Sequence, residues 1–493
     1  MAAAVRGRRH RRASNAPVSR VLVIGAGPAG SVFAIRMAML GHEVTLVERA
    51  AFPRRRLGEA LTPGVRPLLE AVGAGDAIAH AGGRPVAAIR QLWDGPEGRR
   101  LDPAAAGCII DRGRLDARLL EIARAAGVVV RQTASVVART ADATGWRLVL
   151  STAQGPVHWR GDFLADATGR TGQGIAQGPR TIAAHAYWRL GVDTPPEPCI
   201  EAGAQAWFWG VPLPGGLYNT LVICRPETLR AARGTTLQAR LRTLLAQSRL
   251  LRGLSGRTCD GPVGARDATP RISADPVGPR FIRVGDAALS LDPISSSGVQ
   301  KAIQGALAAA VTANTLLRRP EAGTTALAFY RDSLRRTADR HRRWATAHYA
   351  TAAATRPDRF WQERAAGAPD ASSPPGPALD AQLMRMRPAR VSPLTRIGIA
   401  PCLGAEFVSE QPVVTHPGID GPIAYLGGHA IAPLLARFPQ GATPLEVARS
   451  WGDRVPLKPA LAILARLLDD GVIVLEPPET GTDMGAQPGP AAQ

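Results

Sequence analysis

Two rhythms of apolar and polar positions alternate along this chain. Residues 20 to 50 carry the apolar run "VLVIGAG", then helical spacing in "SVFAIRMAMLG", then a second run, "EVTLVE". That succession reads strand, tight turn, helix, strand. Residues 112 to 132, "RGRLDARLLEIARAAGVVVRQ", repeat the idiom as a helix feeding a strand, which predicts a parallel, Rossmann-like α/β layer. From about 180 to 275 the rhythm shortens, with β-branched and aromatic residues in "HAYWRLGVD", "AWFWGVPL" and "LYNTLVICR". This predicts an antiparallel sheet inserted between two parts of the α/β layer.

The α/β text returns at "RFIRVGDAAL" and is followed by helical spacing from about 297 to 364. The predicted organisation is a disordered basic arm over 1–19, the first α/β part over 20–180 and the inserted sheet over 181–275. A second α/β part with long helices covers 276–365, and a Pro-, Ala- and Ser-rich linker covers 366–384. A small helical or winged-helix-like module, ending in "PALAILARLLDDGVIVLEP", occupies 385–475 and a solvated tail 476–493.

The first turn carries chemistry. Gly25, Gly27 and Gly30 form GxGxxG between a strand and a helix. The first glycine permits the tight turn, the second a close approach to a pyrophosphate, and the third the packing of helix on strand. Glu48, at the end of the next strand, is placed to accept hydrogen bonds from ribose hydroxyls, and Arg49 follows it. A second helix start is predicted at "LDPISSSGVQKAI", where Pro293 and a turn of small residues precede Ser297 and Gly298 and would offer N–H groups and a positive dipole end to whatever lies there.

With these segments the sequence resembles the FAD-dependent monooxygenases and halogenases that share the hydroxybenzoate hydroxylase fold. The resemblance rests on "RVGDAALSLDP", "DRGRLDARLL", "LADATGR" and the opening glycine turn, and runs from about 20 to 315. It implies an FAD-binding domain in which Asp286 holds the ribityl chain, Arg112 contacts the cofactor, and the Asp-Pro turn faces the isoalloxazine. It also places "FPRRRLGEALTPG" beside the flavin, with Arg56, Gly58 and Glu59 orienting ring or substrate. "WFWGVP" resembles the WxWxIP motif of flavin-dependent halogenases, and Trp207 and Trp209, two apart on a strand, are predicted to share one face.

The lysine content separates two chemistries. Halogenases of this kind pass hypohalous acid to a lysine, and the comparable string here, "RPVAAIRQLW", puts Val86 in its place. The chain has only Lys301 and Lys458 among 60 basic residues, so no lysine precedes residue 301. Hydroxylation through a flavin C4a-hydroperoxide needs no such group; it needs exclusion of water and a positioned electron-rich ring. "GDAALSLDPISSSGVQKAIQGALAAAVTANT" and "ADRHRRWATAHYA" look most like the flavoproteins that mature tryptophylquinone cofactors, such as that of quinohemoprotein amine dehydrogenase. The reading is therefore a monooxygenase acting on tryptophan in a partner peptide or protein. Glu59, Trp207, Trp209 and Pro293 are its catalytic candidates. The alternatives are a halogenase of an indole or pyrrole, an FAD reductase of prenyl lipids, and a non-catalytic flavoprotein that recruits a partner.

Composition refines this picture. A formal charge of +20 with so few lysines reflects arginine-rich coding as much as a basic face. No nucleic-acid-reading motif accompanies it, and an acidic protein partner suits it better. No apolar run reaches membrane-spanning length, and the arginine-rich start lacks the apolar core and cleavage site of a secretion signal, so a cytoplasmic enzyme without membrane contact is expected. Five scattered cysteines fit neither a disulfide framework nor zinc, and mostly buried thiols are expected. A single dinucleotide fingerprint leaves electron supply open between NAD(P)H binding transiently and a separate flavin reductase. His185, in the strand "AAHAYWRL", is expected to be a core residue rather than a catalyst.

Overall fold

The structure, a computed structural model, describes residues 18–95, 98–100, 107–170, 174–190, 197–230, 234–368 and 387–476. The expected disordered arm, linker and tail lie almost wholly outside the described residues. Two compact units are formed: the described residues up to 368 together with 401–409, and the remainder of 387–476.

The larger unit is built on a six-stranded sheet. Its central strand, Arg20–Ile24, pairs in parallel with Glu43–Val47 on one side and Phe163–Asp166 on the other. Val129–Arg131 and Phe281–Arg283 extend it in parallel, and Val277–Gly278 closes one edge antiparallel. Strand Arg20–Ile24 is apolar throughout its middle because both faces are covered. Helix Pro28–Met39 buries nine of its twelve residues against this sheet and helix Gly298–Arg318. Alanines 302, 306, 309, 310 and 313 let the second helix approach closely.

A seven-stranded sheet covers the site. Its order is Gly264–Asp267, Ile182–Arg189, Leu217–Cys224, Ala206–Leu213, Cys199–Ala202, Arg90–Leu92, Arg99–Arg100. The predicted boundaries of 181–275 capture five of these strands; the last two come from before it. Strand Arg90–Leu92 joins Cys199–Ala202 in parallel, a pairing between distant segments that local spacing does not encode. A three-stranded meander, Ser135–Asp142, Gly145–Thr152 and Gly155–Gly161, also sits inside the first α/β part. Period-two burial splits the larger sheet's two faces. Ala184, Ala186, Trp188, Phe208, Tyr218 and Val222 pack with helix Leu237–Ala246, and the other face looks into the site described below.

The long helical region resolves into Gly298–Arg318, Gly323–Ala353 and Arg359–Ala365. In the smaller unit, helices Pro444–Ser450 and Leu457–Asp469 and strand Ile473–Leu475 appear where the spacing predicts them. The first has a capping box between Thr443 and Glu446. The expected module boundary at 385 needs one correction: residues 401–409 belong to the larger unit. There Asn314 Nδ2 donates to the Glu406 carbonyl at 2.8 Å, and the Val408 N–H to Thr315 Oγ1 at 2.9 Å. Only Cys199 and Cys224 of the five thiols are buried; the other three are half-buried, and all are free. No described helix is long and apolar enough to cross a membrane.

Leu464 is fully buried in the core of the smaller unit beside Ile463, Leu467 and Trp451. Leu464→Ala is expected to cost roughly 2–5 kcal/mol through lost burial and the cavity left behind. Hydrogen exchange would read this as faster exchange over 444–469, with 298–318 unchanged.

Candidate active site

The registers of the six-stranded sheet align Ile24 with Val47 and with Asp166, and Asp166 with Arg283. The segments that leave these strands therefore emerge at one edge, where open α/β sheets bind ligands. A cavity of about 1130 Å³ opens there and runs under the seven-stranded sheet to Pro293 and Gly298. Its volume exceeds the roughly 300–1,000 Å³ typical of a single ligand site, so it has room for a large cofactor and a second molecule.

The glycine turn is shaped as its spacing predicts. Gly25 has φ +102°, and a Cβ there would lie 2.4 Å from the Ala167 carbonyl oxygen. A Cβ on Gly30 would lie 1.9 Å from the Gly25 carbonyl oxygen, whereas at Gly27 it would meet nothing, because that residue faces the cavity. Glu48 lies where the motif puts it, but its carboxylate is already engaged. It accepts from the Ala26 N–H at 2.9 Å, the Ala50 N–H at 3.0 Å and Arg54 at 3.3 Å. It thus fixes the turn as well as lining the cavity. Exposed Arg49 and half-buried Arg56 reach the same cavity. Burial, with Arg54 and Arg266 nearby, pulls the Arg56 guanidinium below its ordinary range.

Arg112 faces the cavity too, but its guanidinium is held by Asp116 one turn on, at 3.1 Å, and by the Leu57 carbonyl at 3.0 Å. That second bond explains Gly58: at φ +103° a Cβ would come within 2.7 Å of Arg112 Nη1. Asp286 is paired with Lys301 at 2.7 Å and Arg170 at 3.2 Å. Burial works against its charge, yet the two cations outweigh it and hold its carboxyl below the usual range. Lys301 is thereby committed, and burial lowers its ammonium despite Asp286. Pro293 and Gly298 line the cavity. Ser297 is absent from the lining and its hydroxyl meets Ser295 at 2.7 Å; Ser296, at φ +49°, lines the cavity instead.

Three rows of side chains cross the covering sheet. The register places Ala183, Ile223, Trp207 and Ala202 in one row, His185, Leu221, Trp209 and Ile200 in the next, and Tyr187, Asn219 and Val211 in the third. Trp207 and Trp209 therefore share the face that looks into the cavity, as their spacing predicts. Their roles differ. Trp207 Nε1 donates to Tyr349 Oη at 3.1 Å, and Tyr349 Oη donates to Asp292 Oδ1 at 3.0 Å, tying the sheet to the Asp-Pro turn. Trp209 is half-buried and remains part of the wall.

The third row meets Glu59. Tyr187 Oη donates to Glu59 Oε1 at 2.9 Å, Asn219 Nδ2 to the same oxygen at 3.1 Å, and the Gly58 N–H to Oε2 at 2.9 Å. Burial pushes the Glu59 carboxyl above its usual range, against these bonds and the charge of Arg112. The sequence does not single out Tyr187, Asn219 or Tyr349, and Asp292 enters it only as the acid of the Asp-Pro turn. Strand alternation places Tyr187 on the His185 face, but nothing local pairs it with Glu59. His185 lines the cavity with both ring nitrogens buried and unpartnered among the described residues, and burial and Arg266 hold its imidazole below the ordinary value. Val86 is buried with Ile109 and Val211 beside Trp209. Among the described residues no cluster suited to a metal ion occurs.

This architecture defines a flavoprotein of the halogenase and monooxygenase superfamily. The chain belongs to the tryptophan halogenase family, whose profile matches residues 20–106 and 98–375. It is 29% identical over 340 residues to a tryptophan 2-halogenase of Chondromyces crocatus, a match covering 63% of this chain and 64% of that protein. A flavin-dependent halogenase of Armillaria mellea, armH4, is 28% identical over 353 residues, covering 62% and 66%. These matches span just under two thirds of either relative. Among solved structures, QhpG, a peptidyl tryptophan dihydroxylase essential for tryptophylquinone cofactor biogenesis, superposes with TM-score 0.69 and 26% identity, over 92% of this chain and all of that one. The flavin-dependent halogenase CmlS shares the fold with TM-score 0.75 at 21% identity, over 93% and 96%.

The raised Glu59 carboxyl has a consequence for stability. Its folded form holds a proton over a pH range where the unfolded chain has released it, so native stability falls as pH rises through that window. Glu59→Gln removes the ionisation. The variant's stability relative to the natural chain is expected to increase from acidic to neutral pH, measured by urea denaturation at a series of pH values; a constant difference would show that Glu59 does not titrate abnormally.

Proposed function

We propose that the chain is an FAD-dependent monooxygenase that hydroxylates an aromatic ring, with a tryptophan side chain in a peptide or protein as its substrate. The observation that carries this reading is Val86. The position that a halogenating relative needs for a lysine holds a buried aliphatic side chain packed on Val211 and Trp209. Lys301 is spent on Asp286, and Lys458 lies in the smaller unit. The match to QhpG over its full length supports a peptidyl tryptophan substrate.

The residues present fit FAD. Open space at Gly27, the start of helix Pro28–Met39, Glu48 and Arg49 suit the adenosine and pyrophosphate. Arg56, Arg112, Asp286 and the turn from Pro293 to Gly298 suit the remaining part of the cofactor, with Ser297 bonded behind that turn. Reduced FAD, when bound, activates dioxygen for transfer of an oxygen atom to an electron-rich ring. The protein contributes positioning and dryness. Trp207, Trp209, Leu221 and Ile200 present an apolar wall against which an indole can lie, and exclude water from the reacting atoms. Glu59, neutral over a wider pH range than a free carboxyl, accepts from Tyr187 and Asn219 on Oε1 and from the Gly58 N–H on Oε2. It is placed to give or take a proton at the cavity wall. Electrons come from NAD(P)H binding transiently or from a separate flavin reductase.

Halogenation is the second reading, favoured by the halogenase relatives. Both are tested by one incubation: FAD-loaded, reduced protein with dioxygen, chloride or bromide, and tryptophan-containing peptides, followed by mass measurement. One or two added oxygen atoms are expected; an added halogen would replace the monooxygenase reading. Glu59→Gln is expected to slow turnover by roughly 10²-fold or more with flavin content unchanged.

A further inference from the structure

We propose that stacked aromatic side chains carry stray oxidising equivalents out of the cavity to a surface exit at Trp344. The proposal rests on the reading that dioxygen is activated in this cavity. Trp207 lines it, and Trp93 meets Trp207 edge to face with centroids 6.3 Å apart. Trp93 stacks on His348 at 4.9 Å, and His348 stacks on Trp344 at 5.3 Å with planes 7° apart. Trp93 Nε1 also donates to the His348 carbonyl at 3.0 Å, which fixes the first stack. Trp93 and Trp207 are almost fully buried, whereas Trp344 is 47% exposed. The row thus runs without a gap from the cavity wall to solvent. Tyr349 stands beside its inner end, 6.3 Å from Trp93.

Core packing explains why buried rings touch; it does not explain an indole kept half in water on a helix face otherwise rich in arginine. The polarity of the route follows from chemistry. Indole and phenol groups give up an electron only to a strong oxidant and do not accept one from a reductant, so the row conducts oxidising equivalents outward and cannot deliver electrons to a cofactor. The inner end also has a proton acceptor: Tyr349 Oη already donates to Asp292 Oδ1.

The step balances as follows. Hydrogen peroxide released when no aromatic substrate is bound takes one electron from the reduced cofactor and splits into hydroxide and hydroxyl radical; that radical takes one electron from Trp207 or Tyr349 and becomes a second hydroxide. If Tyr349 is oxidised, its phenolic proton passes to Asp292. An electron from Trp93 refills the inner vacancy, and one from Trp344 across His348 refills Trp93. A soluble thiol then reduces Trp344 and is oxidised towards a disulfide. Without thiol, the Trp344 radical loses its proton and combines with dioxygen.

The test uses FAD-loaded full-length protein, reduced, freed of excess reductant and exposed to dioxygen without aromatic substrate or thiol, then mapped by peptide mass spectrometry. Added oxygen is expected chiefly at Trp344 and is suppressed by glutathione. In Trp344→Phe it moves inward to Trp93 and Trp207, and the protein inactivates several-fold faster. Trp159→Phe, on the separate three-stranded sheet, is expected to behave as the natural chain. Oxidation confined to Trp207 and Trp209, with Trp344→Phe inactivating at the natural rate, overturns the proposal. Failure of the reduced protein to consume dioxygen overturns the oxygenase reading instead. The row is then judged by blue-light excitation of the bound oxidised flavin: a tryptophan radical that persists in the natural chain and decays several-fold faster in Trp344→Phe, followed by transient electron paramagnetic resonance, supports it, and an unchanged decay overturns it.

Discussion

A buried carboxyl group joins the two halves of this site. Glu59 leaves a loop beside the nucleotide-binding layer, yet its hydrogen-bond donors are Tyr187 and Asn219 on neighbouring strands of the covering sheet, along with the Gly58 N–H. A buried polar group without partners costs on the order of 1–3 kcal/mol, so these bonds specify how loop and sheet meet. The loop is held from behind by Arg112 through the Leu57 carbonyl, which is why Gly58 takes a backbone conformation that side-chain-bearing residues avoid. One chain of contacts thus sets both the cavity's roof and the protonation of this buried acid.

A second constraint is electrostatic. The acids that line the cavity are paired in advance: Glu48 with Arg54, Asp116 of helix Arg112–Ala125 with Arg112 and Arg54, Asp286 with Lys301 and Arg170. The outcome differs between them: Lys301 and Arg170 hold the Asp286 carboxyl below its usual range against burial, whereas burial pushes the Asp116 carboxyl up despite Arg112 and Arg54. The surplus of arginine that dominates the composition is used here as a set of fixed forks. Lysine, scarce in the chain, appears in the site only as the counter-ion of Asp286.

That economy bears on chemistry. The halogenase motif that this chain resembles has a lysine where Val86 stands; Val86 is buried with Ile109 and Val211 beside Trp209, and the cavity wall in front is formed by Trp207, Trp209, Leu221 and Ile200. An apolar wall suits a reaction that needs a dry, oriented ring and no further nucleophile. The fold is shared by a peptidyl tryptophan dihydroxylase and a flavin-dependent halogenase, so the distinction falls on single positions rather than on architecture.

The sequence by itself determined the parallel layer, the glycine turn, the pairing of Trp207 with Trp209 on one face and the absence of lysine before residue 301. Each of these is a local matter of period, φ or residue identity, which a short window contains. Only the tertiary structure decided that Glu48 is shared with the turn it closes and that Ser297 turns towards Ser295. It also decided that residues 90–100 complete the covering sheet and that Trp207 is tied through Tyr349 to Asp292. These depend on contacts between segments up to 142 residues apart. Their partners are chosen by burial, and the chain must be packed before a buried donor can find the acceptor that pays its desolvation.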